Sequence, residues 1–554
     1  MTEFSESGAD DPQSRPKRTV VKPEIRRWQG RRILNRVSGI RACRACGKSA
    51  LDPETGVVIG RTSRGYVVTL GVVRCGRIWF CSQCSAAIRT GRTEELKTAA
   101  LRWLAAGGTL IAVVLTGRHN QTHRLAALSD AMWGAPLLDA EGAPVLDRSG
   151  KPRRAPGAYQ RMLTDPDFYG RPQGLNRWTR KDGTRMESIR PARDGIRHRI
   201  GYAGMVRASE VTRSQDNGWH PHTNALIFVG ATVDGTPAKG VVLPDGYFVP
   251  TESALEEWEG WLRALWTRML RAADPTFEPT KKCGRKGCKC GGKGHGVMVK
   301  VIRSANDEAL IEYMTKVQDG KRADSVSEDL ETAGGVALET VRADNKRGRG
   351  RNSMVPFQML YRLWDLEAEG LDEDEAEGYG TALQLRRWWA EYEQAMAGRR
   401  AIEWTRGMRR HVGLEEEENP EERDAQFAYE QAAREPLTGG VVMSTTAYGT
   451  VVRHLAEPEV EAVVADEVYD SVGDLVYGLG GLAGHVRPLT AQEIADIQEH
   501  MAARMLAQRE ARAKAAQFEA EQAETDWLRR RFAGLLAQLA ARDTAVSRAD
   551  TPAE

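Results

Sequence analysis

The stretch NGWHPHTNALIF, residues 217–228, places His220, His222 and Asn224 at every second position ahead of an apolar run. On a β-strand, residues two apart point to the same face, so these side chains would share one surface. Two imidazoles and an amide oxygen suit a divalent ion such as Mg²⁺ or Mn²⁺ with open positions for substrate oxygens. Exposed histidines at the mouth of an ordinary strand are the alternative, which the stretch alone favours.

A second stretch that could carry chemistry is IEYMTK, in which Tyr313 and Lys316 lie three residues apart. On a helix these two side chains would share a face. A tyrosine hydroxyl beside a metal-bound phosphodiester can attack phosphorus and become covalently joined, while an ammonium group stabilises the charge. For an isolated Tyr-x-x-Lys pair, a core tyrosine next to a solvated lysine is the ordinary interpretation.

Two Cys-x-x-Cys pairs, Cys43 with Cys46 and Cys81 with Cys84, predict a structural zinc site with four thiolate ligands. Cys75 lies between the pairs and offers a competing ligand. Because four thiolates leave no open position on the zinc, the site would serve folding rather than catalysis. Buried thiols without a metal are the alternative.

A later stretch, CGRKGCKCGGKGH, supplies Cys283, Cys288, Cys290 and His295. Three thiolates and an imidazole in so short a basic segment indicate a second zinc loop. Its many glycines leave almost no core, so a metal would be needed to order it. A flexible basic loop with incidental thiols is the alternative.

Composition bounds the class of protein. The chain has 554 residues, of which 41% are hydrophobic and 28% charged, so several domains are expected rather than one core. The net charge of +3 gives no argument for nucleic acid, but basic residues collect in the front two-thirds and acidic ones in later stretches such as GLEEEENPEERD. This asymmetry favours a polyanion partner held by the front part; solvated loops and tails are the alternative.

The polar N-terminus predicts no signal peptide, and the longest apolar run, residues 110–115, is far shorter than the roughly 20 residues of a membrane span. We therefore expect a cytoplasmic protein with no membrane partner, in which cysteines are metal ligands rather than disulfides. The segment CGKS, residues 46–49, would close a phosphate-binding loop only if position 42 were glycine, and it is Ala42.

The elements that must position these residues follow from hydrophobic patterning. A short polar bridge favours antiparallel pairing of the strand that carries Glu210 with the strand that carries the histidines. Residues 135–195 show little periodicity. In chain order, the patterning predicts a helix over 92–107, a strand over 109–116, strands over 202–213 and 222–229, a helix over 253–273, a strand over 297–302 and a helix over 305–320.

The predicted organisation has seven parts. They are a disordered basic tail over 1–30, a Cys-rich zinc-binding segment over 31–95, a domain over 96–320 that carries the histidine and tyrosine stretches with a basic Cys/His insert at 281–295, a basic linker over 321–352, a helical region over 353–415, an acidic mixed region over 416–488, and a charged long helix with its tail over 489–554.

Taken together, these stretches resemble the rolling-circle replication initiators (Rep proteins) of actinobacterial plasmids and integrative elements, which belong to the His-hydrophobic-His endonuclease superfamily. The resemblance rests on VVLTGRHN, VRASEVT, NGWHPHTNALIF, HGVMVKVIRSANDEALIEYMTK and PFQMLYRLWD, and it covers roughly residues 40–415. It implies an α+β fold: a nuclease domain on a central antiparallel sheet, an N-terminal zinc-binding segment and a mostly helical C-terminal region.

The resemblance also implies roles for individual residues. Tyr313 would be the nucleophile that nicks one strand at the origin, leaving a 5′-phosphotyrosine and a free 3′-OH primer, with Lys316 supporting the site. Glu312 and Glu308 are candidates for the base of a terminating cleavage.

The resemblance places the Mg²⁺ or Mn²⁺ pair at His222 and position 224, with His220 just ahead and Thr116 to His119 as the first motif. Position 224 is Asn where the family usually has His, and its amide oxygen is an acceptable ligand for these ions. If Asn224 does not bind, His220 and His222 supply the pair.

The implied partners are double-stranded and single-stranded origin DNA, together with a host helicase and polymerase. A single-tyrosine transposase or relaxase shares the same chemistry, although a relaxase usually carries its tyrosine ahead of the histidines. An alternative from a different functional class is a zinc-containing DNA-binding regulator with an inactive nuclease domain. The Asn at position 224 keeps this alternative open.

Overall fold

The computed structural model describes most of the chain up to residue 302 and parts of the remainder. The described ranges are 23–302 with gaps at 53, 63–66, 141, 147–152, 234–235, 245, 281–282 and 284–293, then 353–367, 380–417, 420–434, 437–444, 446–449, 486–488 and several positions between 490 and 503. The predicted tyrosine helix over 305–320 and the charged helix over most of 489–543 lie outside the described residues.

The strands in chain order are β1 Val57–Thr62, β2 Val67–Leu70, β3 Thr109–Thr116, β4 Gly170–Arg171, β5 Gly174–Thr179, β6 Arg185–Arg190, β7 Arg193–Asp194, β8 Tyr202–Ser214, β9 Gly218–Val229, β10 Thr232–Val233, β11 Thr236–Pro237, β12 Gly240–Val242, β13 Phe248–Pro250, β14 Val297–Ile302, β15 Ser353–Met354, β16 Ile402–Trp404, β17 Leu437–Met443 and β18 Val486–Pro488.

The helices in chain order are α1 Pro23–Val37, α2 Arg41–Ala45, α3 Ser82–Ala105, α4 Leu125–Trp133, α5 Ala158–Thr164, α6 Pro166–Tyr169, α7 Ile196–Ile200, α8 Glu252–Ala273, α9 Pro356–Glu367, α10 Ala382–Met396, α11 Met408–His411 and α12 Pro420–Arg434.

The central element is an antiparallel sheet of six strands in the order β14-β3-β9-β8-β15, in which β16 also pairs with β8. The pairing of β8 with β9 confirms the antiparallel pair predicted across the polar bridge. Strands β3 and β14 have the bounds that patterning predicts. Their apolar residues are β-branched or aliphatic, which suits a sheet buried on both faces.

The two faces of this sheet pack against different helices. On β9, the side chains of Trp219, Ala225 and Ile227 join a core with α4, α8 and α10. Leu226 and Phe228 point to the other face and pack with the second half of α3. Because strand side chains alternate, His220, His222 and Asn224 lie on the same face as Leu226 and Phe228. We call this the histidine face.

A second antiparallel sheet has the order β18-β17-β1-β2. Its strand β1 belongs to the cysteine-bearing segment, whereas β17 follows residue 436, and they pair from Val57 opposite Met443 to Thr62 opposite Leu437. Helix α12 also packs on α3. The acidic region after residue 416 thus contacts the N-terminal cysteine segment in the folded chain.

Three local features differ from the sequence prediction. Helix α3 begins at Ser82, ten residues before its amphipathic pattern becomes visible. Residues 402–404, expected to be helical, form β16 because Gly398 with φ of 66° follows the end of α10 and the chain then pairs with β8. Within the aperiodic stretch, β5 and β6 form a hairpin whose faces are both exposed, so no apolar alternation marks it.

Candidate functional site

The candidate site lies where β9 is hydrogen bonded between β3 and β8. His222 stands opposite Thr116 of β3 on one side and Glu210 of β8 on the other. Directly paired residues in antiparallel strands point their side chains to the same face. The sheet register therefore assembles a row of a hydroxyl, an imidazole and a carboxylate across three strands of the histidine face.

The imidazoles of His222 and of neighbouring His220 bond to protein oxygens. His222 Nε2 lies 2.7 Å from Glu210 Oε2, and the Glu210 carboxylate is buried. His220 Nε2 lies 2.9 Å from Thr116 Oγ1. A buried carboxylate bonded to one ring nitrogen of a histidine fixes the orientation of that ring.

A third imidazole, from His119, joins the pair. Its ring stacks on His220 with centroids 4.5 Å apart, and His220 stacks on His222 at 5.2 Å. The Nδ1 atom of His119 lies 2.8 Å from the carbonyl oxygen of Asn217, which holds the ring against the start of β9. The predicted first motif, Thr116 to His119, thus contacts the histidine pair directly.

Burial controls the protonation of these rings. Burial, and secondarily the neighbouring rings of His222 and His119, lower the pKa of His220 well below its ordinary value, against an opposing effect of Glu210. Burial also lowers the pKa of His119, although its bond to Asn217 opposes this. The rings of His220 and His119 are therefore neutral at pH 7, and neutral imidazole is the form that binds metal ions.

Asn224 lies one row further along the histidine face, between Val114 of β3 and Ala208 of β8. Its side chain is buried, and its Nδ2 atom has no hydrogen-bond partner among the described residues. The same is true of the buried Nδ1 atom of His222. Unpartnered buried polar atoms are rare in folded proteins, so a ligand on this face would satisfy atoms that the described chain leaves unpaired.

The donor set of imidazoles, carboxylate and amide fits a hard divalent ion with open positions. Among the described residues, three or more His, Cys, Asp or Glu ligand atoms lie within 4.8 Å of one another only at a cysteine cluster. The histidine rings therefore do not already surround an ion. An ion bound at Nε2 of His220 or His222 would replace the bonds to Thr116 and Glu210.

The histidine face is open at the edge strand β14. Met298, which shares a row with Val114 and Asn224, is 52% exposed, and Lys300 is half-buried. Strand β14 ends at Ile302 on this same face. The predicted residues Tyr313, Lys316, Glu312 and Glu308 follow and lie outside the described residues.

The cysteine cluster consists of Cys46, Cys75, Cys81 and Cys84. The Cys46 sulfur lies 3.7 Å from that of Cys81 and 3.6 Å from that of Cys84, and the Cys75 sulfur lies 3.7 Å from that of Cys84. Sulfurs at about 2.3 Å from a tetrahedral zinc are about 3.8 Å apart, so the four thiols fit that ion. We call this group the four-thiol cluster.

The four-thiol cluster contains three of the four predicted ligands, and Cys75 takes the fourth place. Cys43 is buried, and its thiol contributes to the raised pKa of Cys75. The segment between Leu70 and Ser82 carries Cys75 back to the knuckle, since the backbone N–H of Cys75 donates to the Cys46 sulfur at 3.4 Å. Spacing alone offered Cys75 as a competing ligand, and the chain path brings it into the cluster.

Hydrogen bonds among the thiols lower the pKa of Cys46 well below its ordinary value, with Cys75 the largest contributor. They raise the pKa of Cys75 and of Cys81 in return. Although burial disfavours the charge of Arg74, the nearby sulfurs of Cys84 and Cys46 raise its pKa overall. The contacts within the cluster thus favour the thiolate of Cys46, the form that binds metals, and the neutral thiols of Cys75 and Cys81.

Only the ends of the second cysteine group fall within the described residues. Cys283 is half-buried and His295 is exposed, while Cys288 and Cys290 lie outside. The backbone N–H of His295 donates to the carbonyl of Thr280 at 2.8 Å, which closes the base of the insert. Beside it lies a cavity of about 630 Å³, whose lining includes Arg263, Arg268, Arg271 and His295. The second zinc loop stays a prediction.

The helices of the described ranges include no apolar stretch of the length that a bilayer span requires.

Fold and site define a mixed α/β protein built on antiparallel sheets, with a cysteine cluster suited to a metal such as zinc. The chain is 39% identical over 473 residues to Protein rep of Streptomyces lividans, a match that covers 83% of this chain and 91% of that protein. The chain therefore belongs to the family of Protein rep. It is also 31% identical over 482 residues to the neomycin resistance protein of Streptomyces cyanogenus, covering 86% and 99% of the two chains. No protein-family model and no solved structure matches this chain.

Proposed function

We propose that this protein initiates rolling-circle replication by nicking one DNA strand at its origin, as a member of the His-hydrophobic-His endonuclease superfamily. The observation that carries the proposal is the row of Thr116, His222 and Glu210 with His220 beside it, on the central antiparallel sheet of a chain in the Rep family. We favour replication over the resistance named in the second relative because the relative of higher identity is named Rep.

The proposal assigns the metal pair to His220 and His222. Pro221 between them supplies the hydrophobic residue, and their rings stack in one column next to Glu210. Asn224 is buried one row deeper and would serve as an additional oxygen donor. Bound Mg²⁺ or Mn²⁺ would act as a Lewis acid that polarises the scissile phosphate.

In the proposed reaction, the Tyr313 hydroxyl attacks the scissile phosphorus. The bond from Tyr313 Oη to phosphorus forms, the bond from phosphorus to the 3′ oxygen breaks, the tyrosine loses its proton and the 3′ oxygen gains one. Lys316 would stabilise the developing charge, and Glu312 or Glu308 would accept a proton in the terminating cleavage. The products are a 5′-phosphotyrosine and a free 3′-OH primer.

The chain length permits this arrangement. Ile302 lies in one sheet row with Leu110, whereas His222 lies in one row with Thr116. The six residues from Leu110 to Thr116 span on the order of 20 Å along a strand. With residues 303–304 extended and the predicted helix beginning at residue 305, Tyr313 would reach up to roughly 20–25 Å from Ile302, so it could return over the open part of the histidine face.

The remaining parts of the chain receive supporting roles. The four-thiol cluster would hold zinc and stabilise the N-terminal segment, while the basic Cys/His insert and the flanking arginines would contact phosphates of double-stranded and single-stranded origin DNA. A host helicase and a polymerase would then use the exposed strand and the 3′-OH primer.

The test mixes purified protein with supercoiled DNA that carries the origin of its own element, in Mn²⁺ or in EDTA. We expect metal-dependent relaxation and a covalent protein–DNA adduct, both lost in Tyr313→Phe. The matched control Tyr169→Phe, which alters an exposed tyrosine, should retain both activities. Binding without a nick in every metal tried would overturn the proposal and favour a regulator with an inactive nuclease domain. Insertion of the origin strand into unrelated DNA would favour a transposase.

A further inference from the structure

Residues 170–195 contain a short pair of strands at the base and a longer hairpin above it. Strands β4 and β7 pair at the base, with Gly170 opposite Asp194 and Arg171 opposite Arg193. Gly170 has φ of 76°, and a side chain on either Gly170 or Gly195 would collide with the backbone of the other segment. The base is therefore a close backbone crossing that fixes where the ribbon leaves the domain.

Above the base, β5 and β6 pair in register from Gly174 opposite Arg190 to Thr179 opposite Arg185. The turn at the tip is closed by the N–H of Arg180, which donates to the carbonyl of Thr184 at 2.9 Å, and Gly183 there has φ of 83°. Nearly every side chain along both strands is exposed. We call residues 174–190 the ribbon.

Among the described residues, the ribbon pairs with no further strand. Two-stranded hairpins are marginally stable in water by themselves. Yet the ribbon exposes Leu175 at 54%, Trp178 at 46% and Ile189 at 67%. Leu175 and Ile189 face each other across one side, while Trp178 pairs with Met186 on the other. Large apolar side chains held in solvent on both sides of a marginal element indicate a binding surface.

The charges of the ribbon identify the kind of partner. It carries five cationic residues, Arg177, Arg180, Lys181, Arg185 and Arg190, against two acidic ones, Asp182 and Glu187. Arg177 uses part of its charge in a cross-strand ion pair with Glu187 at 2.8 Å. Two of the remaining cations, Arg180 and Lys181, lie in the turn at the tip. A cationic tip is complementary to a polyanion and repels a basic protein surface.

We propose that the ribbon inserts into a groove of duplex DNA. The major groove, about 12 Å wide, admits a two-stranded β-ribbon, in which cationic side chains reach phosphates and apolar ones contact thymine methyl groups. The ribbon base lies near Tyr202, whose ring contacts Phe168 of α6, at the far end of β8 from Glu210. The ribbon therefore holds duplex at a place separate from the nicking site; that this duplex is origin DNA rests on the proposed function.

The test measures binding of the full-length protein to an origin duplex and to a single-stranded origin oligonucleotide at several salt concentrations. The double variant Lys181→Ala with Arg185→Ala removes two exposed cations near the tip. We expect its salt-dependence slope to fall by about 2 and its affinity for duplex to fall roughly 30-fold at 0.15 M salt. Its cleavage of the single-stranded oligonucleotide should match the wild type, which shows that the fold is intact.

The matched control is Arg36→Ala with Arg410→Ala, which removes two exposed arginines, each with an ion pair at 3.8 Å, outside the ribbon. This control should keep wild-type affinity for duplex. A further variant replaces residues 174–190 by two glycines and keeps the paired base; it should lose the same slope or more.

Unchanged duplex binding by both ribbon variants would overturn the proposal. An equal loss in the arginine control would do the same, because the effect would then come from net charge. Loss of single-strand binding with unchanged duplex binding would assign the ribbon to unpaired DNA instead. Failure of the proposed nicking function would be visible separately, as a wild-type protein that binds duplex but forms no tyrosine adduct.

Discussion

At the scale of single residues, His220 is the most constrained ring of the candidate site. It bonds to Thr116, stacks on His119 and lies next to His222. Protonation of His220 would place a charge among buried neighbours, which disfavours the cationic form of this ring. The surroundings of His220 therefore keep its ring neutral, the form that binds a metal, at neutral pH.

The lowered pKa of His220 predicts a pH dependence of stability. Because the folded-state pKa lies below the unfolded value of about 6.5, the unfolded state binds more protons when the pH drops below that value. The stability contribution is thus fully present above pH 6.5 and is lost as the pH falls toward the folded-state pKa. We expect urea midpoints, measured in EDTA from pH 7.5 to 5, to decline less in His220→Asn than in wild type.

His411→Asn is the control for this measurement, since His411 is an exposed histidine at the end of α11. That variant should keep the wild-type decline. If His220→Asn loses stability with pH as steeply as wild type, burial of the ring does not govern its protonation.

At the scale of elements, the cysteine segment is built from two knuckles and the return path between them. Helix α2 ends at the first knuckle, and α3 begins at the second. The return path places Cys75 at the cluster, whereas Cys43 lies three residues before Cys46 on α2 and is not among the four clustered thiols. The chain path rather than the spacing of cysteine pairs therefore decides which four thiols come together.

This selection predicts opposite effects of two conservative substitutions. Cys75→Ser should lose most of its bound zinc and unfold at a lower temperature, because a tetrahedral thiolate site tolerates no missing ligand without a large loss of affinity. Cys43→Ser should retain about one zinc at this cluster. Metal analysis after dialysis and thermal melts followed by circular dichroism would measure both. Zinc loss in Cys43→Ser with retention in Cys75→Ser would reverse the assignment.

At the scale of the whole molecule, the parts of the chain before and after the central six-stranded sheet pack together. Strand β1 pairs with β17, and α3 packs on α12. Glu95 of α3 bonds to Arg409 at 2.9 Å and to Arg423 at 3.3 Å. This buried carboxylate thus binds two arginines that lie more than 300 positions later in the chain. Gly91 permits the closest approach, since a Cβ atom there would lie within 3.0 Å of the Phe427 ring.

The close approach predicts that Gly91→Ala destabilises the protein by about 1–3 kcal/mol, because overpacking outweighs a gain of about 1 kcal/mol in helix propensity. The matched control is Gly260→Ala in α8, where the added Cβ meets no atom within 4 Å. That variant should gain about 0.5–1 kcal/mol. Urea unfolding of both variants measures the difference. Equal stabilisation by the two substitutions would show that α3 and α12 separate readily.

The sequence by itself determined the local elements and the types of ligand. Hydrophobic patterning predicted β3, β8, β9 and β14, with a continuous apolar run at β3 and alternation at β8 and β9. The Cys-x-x-Cys pairs predicted a metal cluster. It also flagged the first motif and the histidine stretch, although the tyrosine helix stays a prediction.

Only the tertiary structure decided which of these residues meet. The register of three strands places Glu210 and Thr116 beside the histidines, and the return path brings Cys75 rather than Cys43 into the four-thiol cluster. The pairing of β1 with β17 and the exposed ribbon have no local signature, because the first joins segments far apart in the chain and the second buries neither face. Local periodicity records which face of an element is buried, whereas the partner of that face is fixed only when the whole chain packs.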